Sequence, residues 1–257
     1  MHQAAGVTDI NEYRLRRRRA GSIRWVMILV FLLSCSVAGY FFAVSDFFAV
    51  RHILVYGNIE VDAGRIVELS GIEPGRNIFS VDLSDTAQWL WIEPRVKSAE
   101  IRRKLPGTVQ ITIEERQPVA MMNVGRALVT VDGDGRVLDR YLVVTELSLP
   151  LISGVETPRD GMMPGGFIDG AGMDVALHIL ATLPQGAEGI GEINAANAQD
   201  IRLYTVSGIE IRLGDAVDFA KKYLVYSNII KDNAAENGAP LRYIDVRIPD
   251  VPAVSYQ

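Results

Sequence analysis

The sequence predicts an α+β protein hung from a single N-terminal transmembrane helix, with two folded domains beyond it. Two observations carry this prediction. Trp25 to Ser45 is a run of 21 uncharged, mostly apolar residues. After it, short stretches of apolar–polar alternation are interleaved with apolar stripes at spacings of three and four, the periods of strand and helix. A chain of 257 residues, about half of them apolar, is long enough for one or two cores. The reading divides it into a basic tail (1–24), the helix (25–45), a small domain (47–118) and a second, antiparallel α+β domain (119–257).

At a rise of about 1.5 Å per residue the uncharged run spans roughly 30 Å, the thickness of a bilayer core. Arg14, Arg16, Arg17, Arg18, Arg19 and Arg24 precede it against Asp9 and Glu12, so residues 1–24 carry +4. On the far side Asp46 comes first, and Arg51 and Arg65 are the nearest cations. The positive-inside rule then puts the tail in the cytoplasm and the domains outside, a single-pass type II arrangement. A cleaved signal fits less well, because its apolar region would be shorter and Ser36-Val37-Ala38-Gly39 is a poor cleavage site. A lipobox around Leu32-Leu33-Ser34-Cys35 is spoiled by Leu33. The formal charge of the whole chain is −5, so with +4 in the tail the remaining 233 residues carry −9. An acidic body lacks the clustered Lys and Arg that phosphate binding needs, which excludes nucleic acid as a partner. Cys35 is the single cysteine, so no intrachain disulfide is possible.

In the small domain the order is β-α-α-β-β. Val50 to Tyr56 reads as a strand ending at the turn pair Gly57-Asn58. Asp62 caps a helix that stops at Gly71, and Asp82 or Ser84 caps a second that ends at Pro94. Val96 to Arg103 and Val109 to Glu114 are strands, and Pro118 marks the boundary. In the second domain Asp132-Gly133-Asp134-Gly135 joins two strands as a hairpin. Pro158 to Gly172 is a loop, followed by a helix with Met173, Ala176, Leu177, Leu180 and Leu183 on one stripe. Ile201 to Val206, Ile209 to Leu213 and Leu241 to Ile248 are strands. Phe219, Tyr223, Tyr226 and Ile230 mark an amphipathic helix, with Asp215 as its cap.

No residues assemble into recognisable chemistry. His2, His52 and His178 are scattered, so neither metal nor cofactor is expected. Asp132-Gly133-Asp134-Gly135 opens like a calcium loop, but Arg136 holds the fifth position and no glutamate follows at the twelfth. Glu114 and Glu115 are neighbours in a strand and point to opposite faces, one solvated and one expected to pair with an arginine. No nucleophile elbow or phosphate-cradling loop is present, so the chain reads as a binding protein with no small-molecule substrate and not as an enzyme. The candidate surface is the C-terminal strand, because exposed sheet edges accept partner strands. Ile244, Val246 and Ile248 suit a core face, and Tyr243, Asp245 and Arg247 the other. Pro249 and Pro252 interrupt the ladder, and Val254 and Tyr256 follow, to be covered by a partner or by their own domain.

Taken in order, these segments resemble the FtsQ family of bacterial division proteins, called DivIB in Gram-positive bacteria. The likeness rests on Val55-Tyr56-Gly57-Asn58, Gly75 to Asp82, Val96 to Pro106, Glu115 to Ala120, Leu149 to Gly154, Ile211 to Gly214 and Ile244-Asp245-Val246-Arg247. It implies a POTRA domain at 47–118 and an FtsQ-type β domain at 119–257. It implies a non-enzymatic divisome scaffold of the inner membrane, with periplasmic domains and enrichment at the septum. Such a scaffold links early and late division proteins and binds FtsB and FtsL. The FtsB-binding segment would be Tyr243, Ile244, Asp245, Val246, Arg247, Ile248, Val254 and Tyr256. Gln88, Arg95, Lys97 and Thr112 match the POTRA interaction region. Two departures stand out. Trp91-Ile92-Glu93-Pro94-Arg95-Val96 replaces the family's Pro-Trp-Val, and Arg247-Ile248-Pro249-Asp250-Val251 lacks its glycine. The alternatives are a POTRA-bearing secretion or envelope-assembly component, which would need a β-barrel that the chain does not encode, and a cell-wall-binding anchor.

Overall fold

The computed structural model of the chain describes residues 10–142, 149–157, 163–184, 189–236 and 238–257. The first helix, α1 (Ile10–Val44), runs from the arginine-rich tail through the apolar run without a break. Its Arg24–Val44 stretch has a mean hydropathy of 2.3 and none of it is buried, so it is long and apolar enough to cross a membrane. His2 and part of the expected 158–172 loop, residues 158–162, lie outside the described residues.

A short 3-10 turn (Asp46–Phe48) leads into β1 (His52–Tyr56), α2 (Ala63–Ser70), a second 3-10 turn (Ile78–Ser80), α3 (Leu83–Leu90), β2 (Val96–Lys104) and β3 (Thr108–Glu115). The sheet order is β1-β3-β2, with β1 parallel and β2 antiparallel to β3. The Asp62 carboxylate accepts the Arg65 N–H at the start of α2, and left-handed Gly71 closes that helix. Asp82, not Ser84, caps α3, accepting from the Ser84 and Asp85 N–H groups. Val109, Ile111 and Ile113 point from β3 into the core with Ile66, Ile78, Leu90 and Val96. β1 starts later than expected because Val50 bonds elsewhere: its N–H donates to the Arg76 carbonyl (2.8 Å) and its carbonyl accepts the Gly75 N–H (2.8 Å).

Glu114 is solvated beside Lys97, as expected, but Glu115 does not pair with an arginine. It is buried, and its carboxylate accepts the N–H groups of Ile59 (2.7 Å), Glu60 (3.0 Å) and Val61 (2.9 Å). Burial pushes its carboxyl up, yet the three amide donors more than offset that and hold it below the ordinary glutamate value. They fasten the 57–62 turn to the end of the central strand. Gly57 in that turn has φ +81°, and a Cβ there would collide with the Ile113 carbonyl. Gly57→Ala is therefore expected to destabilise this domain by about 2–3 kcal/mol in urea unfolding.

The second sheet has nine strands in the order β12-β11-β10-β9-β8-β7-β4-β5-β6. They are β4 (Pro118–Val124), β5 (Ala127–Asp132), β6 (Val137–Tyr141), β7 (Leu151–Ser153), β8 (Ile190–Asn194), β9 (Ile201–Thr205), β10 (Glu210–Gly214), β11 (Leu241–Asp245) and β12 (Ala253–Tyr256). Five pairings are antiparallel, while β4–β7, β7–β8 and β10–β11 are parallel. α4 (Ala171–Thr182) and α5 (Phe219–Ala235) cover one face. Met173, Ile179, Phe219 and Tyr226 bury it against Ile152, Ile193, Leu203, Ile211 and Ile244. Asp215 does not cap α5: Asp218 occupies the cap position in a left-handed conformation without a side-chain bond. The Asp215 carboxylate instead accepts from buried Lys222 Nζ (2.7 Å), which also donates to the Leu213 and Asp215 carbonyls. A buried ammonium needs such partners.

The two sheets meet through arginines. The Arg95 guanidinium donates two hydrogen bonds to Asp139 on β6 (3.0 and 2.8 Å). Arg116 bridges Asp132 and Asp134, and Arg136 donates to the Trp91 carbonyl (3.0 Å). The Asp132 turn is thus an arginine-bound hairpin, with its carboxylate accepting from the Asp134 and Arg136 N–H groups. Among the described residues no three metal-ligating side chains converge.

Candidate functional site

β11 lies between two strands, so it is not the terminal edge. The predicted strand Leu241 to Ile248 ends at Asp245, although the Val246 N–H still donates to the Arg212 carbonyl (3.0 Å). The Pro249–Pro252 segment then turns the chain back, and β12 pairs antiparallel with β11, placing Val254 opposite Ile244 and Ser255 opposite Tyr243. Ile248, assigned to the core face, sits in this turn and is 66% exposed. The tail therefore packs on its own domain, yet Val254 and Tyr256 stay exposed.

The geometry of β12 follows from its partner. The Gln257 N–H donates to the Pro240 carbonyl (2.9 Å), so residue 257 faces β11. Backbone groups alternate along an antiparallel strand, so Ala253 and Ser255 also face β11, while the N–H and C=O of Val254 and Tyr256 face the open side. Val246 bonding toward β10 gives the same phase for β11. Val254 and Tyr256 lie on the sheet face that α5 covers further in, because directly opposed residues share a face and Ile244 is buried there. The free edge thus offers two donors, two acceptors and an apolar rim. The opposite edge, β6, is obstructed: Val137 exchanges hydrogen bonds with Gly165 and Gly166, and Asp139 is taken by Arg95.

On the outer face Tyr243 is covered by the Arg212 guanidinium, 3.9 Å from its ring centroid. Asp245 accepts from Arg247 (2.6–3.0 Å), and that hydrogen-bonded guanidinium holds its carboxyl below the usual aspartate range. Arg247 is exposed but already engaged, so it acts here as a brace at the β11–β12 turn. Of the predicted set, Tyr243 to Arg247 lie behind the edge, Val254 and Tyr256 lie on it, and Ile248 belongs to neither group.

The predicted POTRA residues do not converge. Lys97 reaches Glu114 (2.8 Å) on the sheet face that also carries Thr112, and Gln88 is exposed on α3 in the other layer. Arg95 is drawn into the joint with Asp139. Sequence reading missed β12, whose four residues follow two prolines and are too few for alternation to register.

Comparison with known proteins places these features. Residues 48–116 match the family model for the POTRA domain, FtsQ-type, and residues 120–247 that for the FtsQ/DivIB C-terminal region. The second match stops short of β12. Cell division protein FtsQ of Syntrophotalea carbinolica is 30% identical over 209 residues, covering 77% of this chain and 73% of that protein. FtsQ of Geotalea daltonii is 28% identical over 229 residues (86% and 82%), and DivIB of Clostridium botulinum is 23% identical over 242 residues (92% of each). The chain belongs to the FtsQ/DivIB family of cell division proteins.

Proposed function

We propose that this protein is a non-enzymatic scaffold of the divisome that links early and late division proteins and receives a partner strand on the open edge of β12. The partner chemistry is an extended segment with apolar side chains on one face, and the resemblance to the family points to the FtsB–FtsL pair. In this reading residues 1–24 lie in the cytoplasm and 25–45 cross the inner membrane. The POTRA unit (47–118) stands next to the bilayer on the outer side, and residues 119–257 carry the partner edge. The observation that carries it is the edge position of β12. Among the described residues no strand pairs with its outer side, and the Val254 N–H and C=O and the Tyr256 N–H face that side. The Tyr256 carbonyl there accepts only a long contact from the Ser255 hydroxyl (3.5 Å), and both side chains are exposed. Gln88 and Lys97 belong to a separate, POTRA-level contact in this scheme.

The test is a pull-down of the outer segments of FtsB and FtsL from the same genome by the full chain in detergent. A version ending at Asp250 is run beside it, which removes β12 and keeps β11. Binding by the first and loss by the second, with matching circular dichroism, is expected. Equal binding by both would remove β12 from the site.

A further inference from the structure

We propose that the POTRA unit has a lipid-binding rim that seats on the anionic headgroups of the same bilayer that α1 crosses. The proposal rests on reading α1 as a membrane span. Three segments converge on Ala49 to Arg51, just past the end of α1. The Val50 N–H donates to the Arg76 carbonyl and the Arg51 N–H to the Gly107 carbonyl (2.7 Å), so the second 3-10 turn and the β2–β3 turn flank the exit from the helix. Asn77 Nδ2 donates to the Ala43 carbonyl (2.8 Å) within α1 itself. A chain of aromatic contacts continues the link, Phe42 to Phe48 at 5.2 Å and Phe48 to Phe79 at 5.1 Å between ring centroids. With at most about 3.5 Å per residue, the few residues between Val44 and buried Val50 could not carry this domain far from the bilayer in any case.

Each converging segment brings one exposed apolar residue and at least one cation. The first turn has Phe47 and Arg51, the second has Phe79 and Arg76, and the β2–β3 turn has Leu105 beside Arg103 and Lys104. Arg103 also donates to the Ile78 and Val81 carbonyls, which fixes its position. Asp46, Glu73 and Asp82 are the carboxylates closest in sequence to these groups, and Asp82 is occupied in capping α3. Four cations against three carboxylates, one of them committed to a helix cap, stand out on a body that is otherwise acidic. Apolar side chains at a headgroup boundary with Lys and Arg beside them are the pattern that binds anionic lipid surfaces. Continuity with the membrane span favours lipid over a protein partner at this rim.

The test uses the full chain in nanodiscs, with Cys35→Ser to remove its single cysteine. Environment-sensitive fluorophores go on Leu105→Cys or Arg76→Cys, with Ser207→Cys as a distant control and Leu29→Cys in the span. Discs contain phosphatidylglycerol or phosphatidylcholine alone, with headgroup or acyl-chain nitroxide quenchers. We expect headgroup quenching at 105 and 76 to exceed that at 207 by about threefold in phosphatidylglycerol. It should fall toward the control in phosphatidylcholine and in an Arg51→Glu/Lys104→Glu chain, since the attraction is charge-driven and short-ranged. Quenching at 105 and 76 no greater than at 207, with Leu29→Cys quenched by acyl-chain probes, would overturn the rim and leave the span intact. Equal quenching in both lipids would overturn its preference for anionic headgroups. No quenching at Leu29→Cys would overturn the span, and the rim with it. Circular dichroism of each variant checks that the fold is kept.

Discussion

A chain carrying Val254→Pro is expected to fold normally and to lose the partner strand proposed for β12. The Val254 N–H faces the open side of β12, so proline removes no hydrogen bond from the protein itself. Ala253 before it is already extended, the conformation that a following proline requires. An incoming strand would meet a ring where it needs a donor, and the ladder could not continue past that point. The missing hydrogen bond and the clash together predict affinity reduced by more than about tenfold, or roughly 1.4 kcal/mol. Binding to immobilised FtsB outer segment, with far-UV circular dichroism as a control, reads this directly. Ser255→Pro provides the contrast, because its N–H faces β11 and its loss should loosen β12 itself. Unchanged affinity for Val254→Pro in a folded chain would exclude strand addition at this edge.

Glu115→Ala should be among the most damaging single changes in the POTRA unit. It leaves the Ile59, Glu60 and Val61 N–H groups without their acceptor, and Val61 lies in the core. Hydrogen bonds to a charged group contribute more than neutral ones, so a loss of about 3–5 kcal/mol is expected in denaturant unfolding. The pH dependence has a definite sign. Glu115 titrates below its ordinary value of 4.5 when folded, so its stabilisation is complete above 4.5 and disappears as pH falls through the lower folded value. Glu115→Gln should therefore be less stable than the parent at neutral pH and should lose stability less steeply below pH 4.5. Parallel curves for the two proteins would show that the carboxylate does not carry the turn.

Local patterning made the POTRA unit legible. Asp62, Gly71 and Asp82 are cap residues whose function depends on close neighbours, and all three act as their sequence context predicts. Glu115 was misjudged because its partners lie 54 to 56 residues away and are backbone groups, which leave no mark in residue type. The second sheet was read only in part for a similar reason. β7 has three residues and is held by parallel neighbours on both sides, so no period-two signal develops. Asp215 sits at a plausible capping distance from the helix, but an ammonium at Lys222 competes for its carboxylate. At the candidate site, Ile244 and Val246 were placed correctly on the core face because alternation fixes them. Ile248 was not, since a turn beginning at Arg247 breaks the phase that the sequence alone continues.

The arginine joint has a mechanical consequence. Asn77 and the packed phenylalanines hold one end of the POTRA unit to α1, and Arg95, Arg116 and Arg136 hold its other end to the large sheet. A body clamped at both ends behaves as a strut, so a twist of α1 about its axis would turn the whole outer part as one lever. A strand held at β12, as proposed, would then move with it. Loosening that joint as a whole, by removing Asp139 and Asp132 together, would weaken the transmission of torque from one end to the other.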